Sequence, residues 1–482
     1  MPIDAPHSQA PAAIVRSATA PATARGGASD GVGVSLSLLE DLLARARAAG
    51  ADDADVIAVA EASSEVRVRR GDIESSSRSE AHEVGLRVFV GDRSAIVSSN
   101  DLRPATLQRL CEHAVAAARL VDPDPESRIA RNDELAEAPP PLPLHDEAIL
   151  AIGSAQLVEW ARRAEQAAQD TDARIVNTEG CEASAGSSMV RYLTMGGVLR
   201  ERRSTSTAVV AVPIAKDDAG MEVDYWYGSA RRLSDLPSPE AIGRRAAERA
   251  LRRLGGRMLS TRQVPVVFEA PVASALIADF ISALSGERIA RKSSYLEGRL
   301  GSAVAHTSLT LVDDPLTPYG PGARSFDGEG FAARRHTLVQ DGVLVGLLTH
   351  LRSAARLGVA HGRNATRGVA SAPGVGPSQI HVANGSTSLP ALLREVGTCL
   401  LVTATMGHGS DLIRGQYSQG ASGLWVEGGA VQYPVHELTV AGDLDALLKA
   451  IVGRADDLDP SRAISSPSLL VEGLVVAGAG SP

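Results

Sequence analysis

The strongest constraint on the fold is a run of period-two alternation from Ala54 to Ser99, cut by Gly71-Asp72 and Gly91-Asp92. The segments ADVIAVAEA, EVRVRRG, IESSSRSE, VGLRVFVGD and SAIVSS follow one another through this run. Successive side chains of a strand point to opposite faces, so alternation of this kind specifies half-buried strands, and the Gly-Asp pairs supply turns. An antiparallel meander is expected. Ahead of it, Leu36 to Ala49 has Leu at 36, 38, 39, 42 and 43 with Gly50 beyond the end, which predicts an amphipathic helix and its stop. A second helix is expected over Pro104–Leu120.

The order then recurs. A Pro-rich linker, Ala138–Leu144, leads to a predicted helix over Ser154–Gln169. Strand-like segments follow at Ala173–Asn177, Ser188–Leu193, Val198–Arg203, Thr207–Pro213 and Glu222–Gly228, and a helix over Glu240–Arg253 closes the unit. Helix, meander, helix thus appears twice, which suggests two related layers sharing one sheet system. Further on, Val264–Phe268 reads as a buried strand. Pro271 then opens a helix whose apolar positions are Val272, Leu276, Ile277, Phe280, Ile281 and Leu284. Gly286 is expected to stop it.

The rest of the pattern is mostly β. Hairpins are expected around Asp341-Gly342 (His336–Leu348) and around Gly428-Gly429 (Gly423–Tyr433). Short strands at Ile380–Ala383, Leu400–Thr405, Glu437–Ala441 and Leu469–Val476 accompany helices at Leu351–Leu357 and Leu444–Val452. The predicted class is therefore α+β. A helix/antiparallel-meander N-terminal domain (35–258, linker near 138–144) precedes a mostly β, barrel-like C-terminal domain with packed helices (259–482). Residues 1–34, rich in Ala, Pro, Ser and Gly and without a signal-peptide core, read as a disordered tail.

Charge and cysteine usage narrow the function classes. The formal net charge is −9, and Lys and Arg are spread along the chain, which argues against a face that binds nucleic acid directly. Cys111, Cys181 and Cys399 are far apart and odd in number, as suits a reducing compartment. No apolar run approaches the roughly 18 residues of a membrane span. A cytoplasmic protein without membrane contact is expected.

Among candidate sites, Asp313-Asp314 and Asp327/Glu329 place carboxylates in a Gly/Pro-rich loop. Such groups can hold a hard cation, but Asp before Pro or Gly is also common turn chemistry, and the structural role is the expectation. Met406–Gly423 (MGHGSDLIRGQYSQGASG) is the most unusual stretch. Its glycines permit close backbone approach, and its polar members are His408, Ser410, Asp411, Arg414, Tyr417 and Ser418. His408, Ser410 and Asp411 stand too close in sequence to converge easily as a nucleophilic triad, and no GxSxG elbow accompanies them. His436-Glu437 and His82-Glu83 lack the second half of a zinc motif, and His306, His350 and His361 show no paired metal spacing.

From Leu36 almost to the C-terminus the chain resembles the TldD/PmbA family, in its PmbA (TldE) branch. The resemblance is carried by GLRVFVGDR (Gly85–Arg93), SGERIARKSSYLEGRLGSAVA (Ser285–Ala305), LTLVDDPLTPYGPGARSFDGEG (Leu309–Gly330) and MGHGSDLIRGQYSQGASGLWVEGGAVQYPVHELTVAG (Met406–Gly442). In the TldD branch the helix after the buried strand carries HExxxH, and a late cysteine completes a zinc site. Those His, Glu and His positions fall near Ala278, Asp279 and Ala283 here, and no Cys follows Cys399. The resemblance implies a cytoplasmic TldD/TldE-type zinc metallopeptidase that degrades or processes unfolded peptides. Zinc would sit in a TldD-like partner subunit. This chain would hold no metal, carry no catalytic residue and complete the chamber, with the Met406–Gly423 loop lining it. Relatives labelled modulators of DNA gyrase would then act indirectly, through peptides. Two other readings remain open: a non-enzymatic peptide-binding homodimer, and a hydrolase using His408 and Ser410.

Overall fold

The computed structural model describes residues 34–407 and 409–479. All of the expected N-terminal tail except Val34, and His408 in the glycine-rich loop, lie outside the described residues.

The N-terminal part begins with α1 (Leu36–Ala48), whose first turn is capped by Ser35 Oγ accepting from Leu38 N at 3.3 Å. The meander follows as β1 (Asp53–Arg69), β2 (Asp72–Val90) and β3 (Arg93–Ser99), then α2 (Pro104–Ala118). After a connection containing α3 (Glu147–Leu150) come α4 (Ser154–Gln169), β4 (Ile175–Thr194), β5 (Leu199–Asp217), β6 (Gly220–Val223), β7 (Trp226–Ala230) and α5 (Pro239–Leu251). The five segments read from alternation merge into three strands, because Ala62–Ser64 simply continue β1 between two partners. The sheet runs β3-β2-β1-β4-β5-β6, with β7 also on β5, so the meanders on either side of Ala138–Leu144 form one seven-stranded sheet.

Side-chain parity explains the layering. Ala54, Val56 and Ala58 of β1 pack with α1 and α2, while Val66 and Val68 of the same strand pack with α4 and the core of β4 and β5. All five are even-numbered, so both helical clusters lie side by side on one face of the long strand. The odd-numbered Asp55 and Ile57, both buried, look to the other face, onto which the C-terminal part docks. That docking is close: a Cβ added at Gly85 would lie 1.9 Å from Val369 O. The β1–β2 turn uses Arg70 (φ 55°) and Gly71 (φ 79°), whose N–H groups both donate to buried Glu165 of α4 at 2.7 Å.

The C-terminal part opens with β8 (Ser260–Phe268), α6 (Ala270–Ala283) and α7 (Gly286–Ala290). Gly286 thus begins a short helix instead of merely ending α6, and its N–H donates to Leu348 O at 2.7 Å. There follow β9 (Leu311–Asp313), β10 (His336–Gln340), β11 (Val343–Leu344), α8 (Leu351–Leu357), β12 (Ala365–Thr366), β13 (Gly374–Val375), β14 (Ile380–His381) and α9 (Leu389–Val396). The chain ends with β15 (Cys399–Met406), β16 (Ser410–Asp411), β17 (Gln416–Glu427), β18 (Ala430–Asp443), α10 (Leu444–Lys449), β19 (Ile451–Arg454), β20 (Ile464–Ser465) and β21 (Leu469–Ala479).

Five of these strands close on themselves. β15 pairs with β8, β8 with β21, β21 with β18, β18 with β17, and β17 returns to β15. The expected barrel-like domain is therefore a barrel in its pairing, with β16 extending β17 beyond it. A second, five-stranded sheet (β11-β10-β9-β14-β20) lies beside it. One hydrophobic core joins Phe268, Leu276, Ile277, Phe280 and Ile281 of β8 and α6 to both sheets.

Candidate functional site

The site is built from the C-terminal half of α6 and the glycine-rich loop that leads from β15 through β16 into β17. Helix α6 is apolar on the faces that meet the core, and this fixes its rotation: Leu276, Ile277, Phe280, Ile281 and Ala283 are buried, while Ala278 and Asp279 are half-buried. The Ser410 hydroxyl donates to Asp279 Oδ2. The helix position singled out by the resemblance and the loop singled out by its glycines are thus one place. Burial pushes the Asp279 carboxyl above its ordinary range, against the lowering effect of the Ser410 bond.

Each loop residue takes a distinct place. Asp411 Oδ1 accepts from Ile413 N at 3.0 Å and Arg414 N at 3.1 Å, closing the turn between β16 and β17. Arg414 is exposed, its guanidinium 3.7 Å from Asp411. Tyr417 is buried edge-on against Phe268, with ring centroids 6.4 Å apart, and its hydroxyl is pushed up chiefly by burial and then by Asp279. Ser418 is exposed, and its N–H donates to Gly409 O at 2.7 Å. Gly409 is required sterically, since a Cβ there would lie 1.7 Å from Ser418 O. The basic, Ser-containing segment after α7 joins the same place: Tyr295 N donates to Leu412 O at 2.8 Å, and Ser294 Oγ donates to Ala283 O at 2.7 Å. Met406 and Ile413 expose apolar side chains on the same loop, 63% and 62% accessible. Ser410, Asp411, Tyr417 and Asp279 therefore come together. Arg414 and Ser418 face solvent beside them.

This arrangement does not fit a zinc ion. Ala278 and Ala283 have no donor atoms, and Asp279 is engaged by Ser410. Among the described residues, one group of three potential ligands approaches metal-binding spacing: Asp327, Glu329 and His361. Three of its four carboxylate oxygens already accept hydrogen bonds. Asp327 Oδ1 accepts from Glu329 N and Phe331 N at 3.0 Å, and Oδ2 from Ala365 N at 3.2 Å. Glu329 Oε2 accepts from Leu351 N at 2.9 Å at the start of α8. Burial and the adjacent Glu329 push the Asp327 carboxyl up to about 6. Burial also opposes ionisation of Glu329, yet the His361 imidazole 3.4 Å away and the bond from Leu351 N hold it below its ordinary range. The cluster shapes the Asp327–Phe331 loop where it meets the N-terminal sheet: Arg200 Nε donates to Gly330 O at 2.9 Å. Asp313, the other acidic position, binds Asn364 Nδ2 at 2.7 Å and the N–H groups of Ser378 and Gln379 at 2.8 Å. The bond from Ser410 to Asp279 left no signal in the sequence, because no local pattern links positions so far apart.

The comparisons with known proteins agree along the chain. Three profiles of the PmbA/TldA metallopeptidase family match: domain 1 over residues 54–118, the central domain over 147–254 and the C-terminal domain over 261–478. Metalloprotease PmbA of Escherichia coli O157:H7 is 34% identical over 432 residues, spanning 89% of this chain and 94% of that protein. The PmbA homolog of Haemophilus influenzae is 32% identical over 413 residues, 86% of this chain and 89% of its own. The crystal structure of a Bacteroides thetaiotaomicron protein described as a modulator of DNA gyrase superposes with a TM-score of 0.85 at 26% identity, covering 92% of this chain and 98% of that one. TldE from Thermococcus kodakarensis has the same fold, with a TM-score of 0.82 at 19% identity over 92% and 100% of the two chains. The chain belongs to the PmbA/TldD metallopeptidase family.

Proposed function

We propose that this chain is the PmbA/TldE-type subunit of a two-chain cytoplasmic zinc metallopeptidase acting on unfolded peptides, with the zinc held by a TldD-like partner. The observation that carries the reading is the contact between Ser410 and Asp279. In a family of metallopeptidases, the helix position expected to hold ligands is occupied here by alanines and a carboxylate bound to its own chain. The exposed Arg414, Ser418, Met406 and Ile413 surround that contact, and this loop supplies the chamber wall that receives peptide. Main-chain recognition suits the role, because glycine-rich backbone presents N–H and C=O groups to an extended peptide without side-chain obstruction.

Co-purification with a TldD-like chain from the same genome, followed by metal analysis of each subunit, tests the proposal. Zinc is expected in the partner, and peptide cleavage is expected only from the pair. Arg414→Ala and Ser410→Ala in this chain should lower cleavage by the assembled pair while leaving its assembly intact. Zinc near one equivalent in this chain alone, with chelator-sensitive cleavage, would overturn the reading. A stable homodimer that binds peptide and ignores the partner would replace it with a binding function.

A further inference from the structure

Beside the Pro-rich segment lies a cavity of about 460 Å³, walled by Pro139–His145, by Leu199–Arg203 at the start of β5, and by Ser325. It sits on the seam between the N-terminal sheet and the acidic loop of the C-terminal part. Arg202 lines it, and the guanidinium of Arg202 stands 5.5 Å from the ring centroid of Phe326. Arg231 and Arg324 are close enough for their charges to act on Arg202. Among the described residues, none of these three guanidinium groups forms an ion pair.

Two of them are occupied by backbone. Arg231 donates to Ala323 O and Pro321 O, both at 2.8 Å, and Arg324 donates to Gly376 O at 3.3 Å. Arg324 Nε is buried without a partner. The Arg202 guanidinium makes no hydrogen bond to protein among the described residues. The one carboxylate in the wall, Glu201, is held by Arg191 at 2.7 Å and by Arg203 at 3.6 Å. Burial pushes Arg202 and Arg231 down to about 10, with repulsion from its two neighbours adding to the effect on Arg202. Both therefore remain cationic at neutral pH. Asp313 and Asp327 act on Arg324, but no carboxylate offsets the charge of Arg202. Uncompensated positive charge in a partly desolvated place is costly, and an anion bound at Arg202 removes that cost.

We infer that this cavity is a carboxylate site that takes the free C-terminus of a short peptide on Arg202, with an apolar terminal side chain against Pro139–Leu142. A guanidinium fork matches the two oxygens of a carboxylate, while the adjoining prolines and leucines suit an apolar group and not a fully hydrated phosphate. The choice of a peptide as carrier rests on the proposed peptidase reading. The carboxylate chemistry does not.

Calorimetric titration of the full chain, without any partner, tests the inference. The probe is the tripeptide Ala-Ala-Leu as the free acid, against its C-terminal amide and inorganic phosphate. The acid should bind at least about tenfold more tightly than the amide, as expected for a site built around a charge-assisted pair. Arg202→Gln should abolish that preference without lowering the thermal midpoint, since it removes one of three like charges; Arg202→Lys should keep part of the preference. Absence of acid binding, equal binding of acid and amide, a preference that survives Arg202→Gln, or phosphate binding more tightly than the acid would each overturn it. A preference lost with Arg414→Gln but kept with Arg202→Gln would place the peptide on the glycine-rich loop and equally overturn it. No turnover enters this measurement, so failure of the two-chain peptidase reading leaves its outcome separate.

Discussion

Asp279 is the residue on which the reading of α6 turns, and its ionisation offers a direct check. Burial raises its folded-state pKa above the ordinary value of 3.8. A carboxyl with a raised folded pKa has no differential effect on stability at pH below its unfolded pKa. It becomes destabilising as pH climbs from the unfolded to the folded pKa. Asp279→Asn keeps an oxygen that can accept from Ser410 and removes the charge. It should therefore raise the thermal midpoint near neutral pH, by an amount that shrinks toward zero near pH 3, as thermal melts across a pH series would show. An advantage that grew on acidification would contradict the assigned burial. The same residue shows the limit of reading sequence alone: Asp279 was visible as a departure from HExxxH, but its bond to Ser410 depends on barrel closure bringing α6 under β16.

Among the elements, strands with large alternating residues were legible and those built from small ones were not. In β4 the buried face around Cys181, Ala183 and Ala185 carries little hydrophobic contrast, so only its ends stood out as strand-like. The reason is packing: α4 and α5 share a core with that face and press closely on each other, since a Cβ at Gly243 would lie 2.0 Å from Ala164 O. Helix α9 carried its own signals, Pro390 in the first turn and Gly397 just past the end, and the sequence reading missed it. The hairpin β16–β17 gives the prediction at this scale. Gly409→Val must displace the Ser418 carbonyl, so it should lower stability by about 1–3 kcal/mol, the usual cost of overpacking, and weaken assembly with a partner. Denaturant melts check the first effect. Arg414→Ala, exposed on the same hairpin, should stay within about 0.5 kcal/mol of the parent.

Across the whole molecule, the two parts are fastened by a buried ionic knot. Asp55 of β1 meets Arg87 of β2 at 2.5 Å and Arg367 at 2.7 Å, and accepts from Tyr192 Oη at 3.0 Å. Burial alone would raise the Asp55 pKa, but the two guanidinium groups hold it below its ordinary range. Arg367→Ala or Asp55→Ala strands charge in that knot and should cost about 3–5 kcal/mol, whereas Arg367→Met, which keeps the packing, should be milder than Arg367→Ala. Equilibrium unfolding of the three variants ranks them; equal losses from Arg367→Met and Arg367→Ala would show that charge, not packing, decides. The closed barrel has a further consequence, for the order in which the chain is made. Every strand of the N-terminal sheet is complete by Ala230, whereas β8 must wait for β21, which ends at Ala479. During synthesis the first sheet is therefore free to form early, while β8 and β18 keep open edges until the last strand leaves the ribosome. Deletion of Leu469–Ala479 should accordingly leave a chain with a finished first half and a barrel that cannot shut.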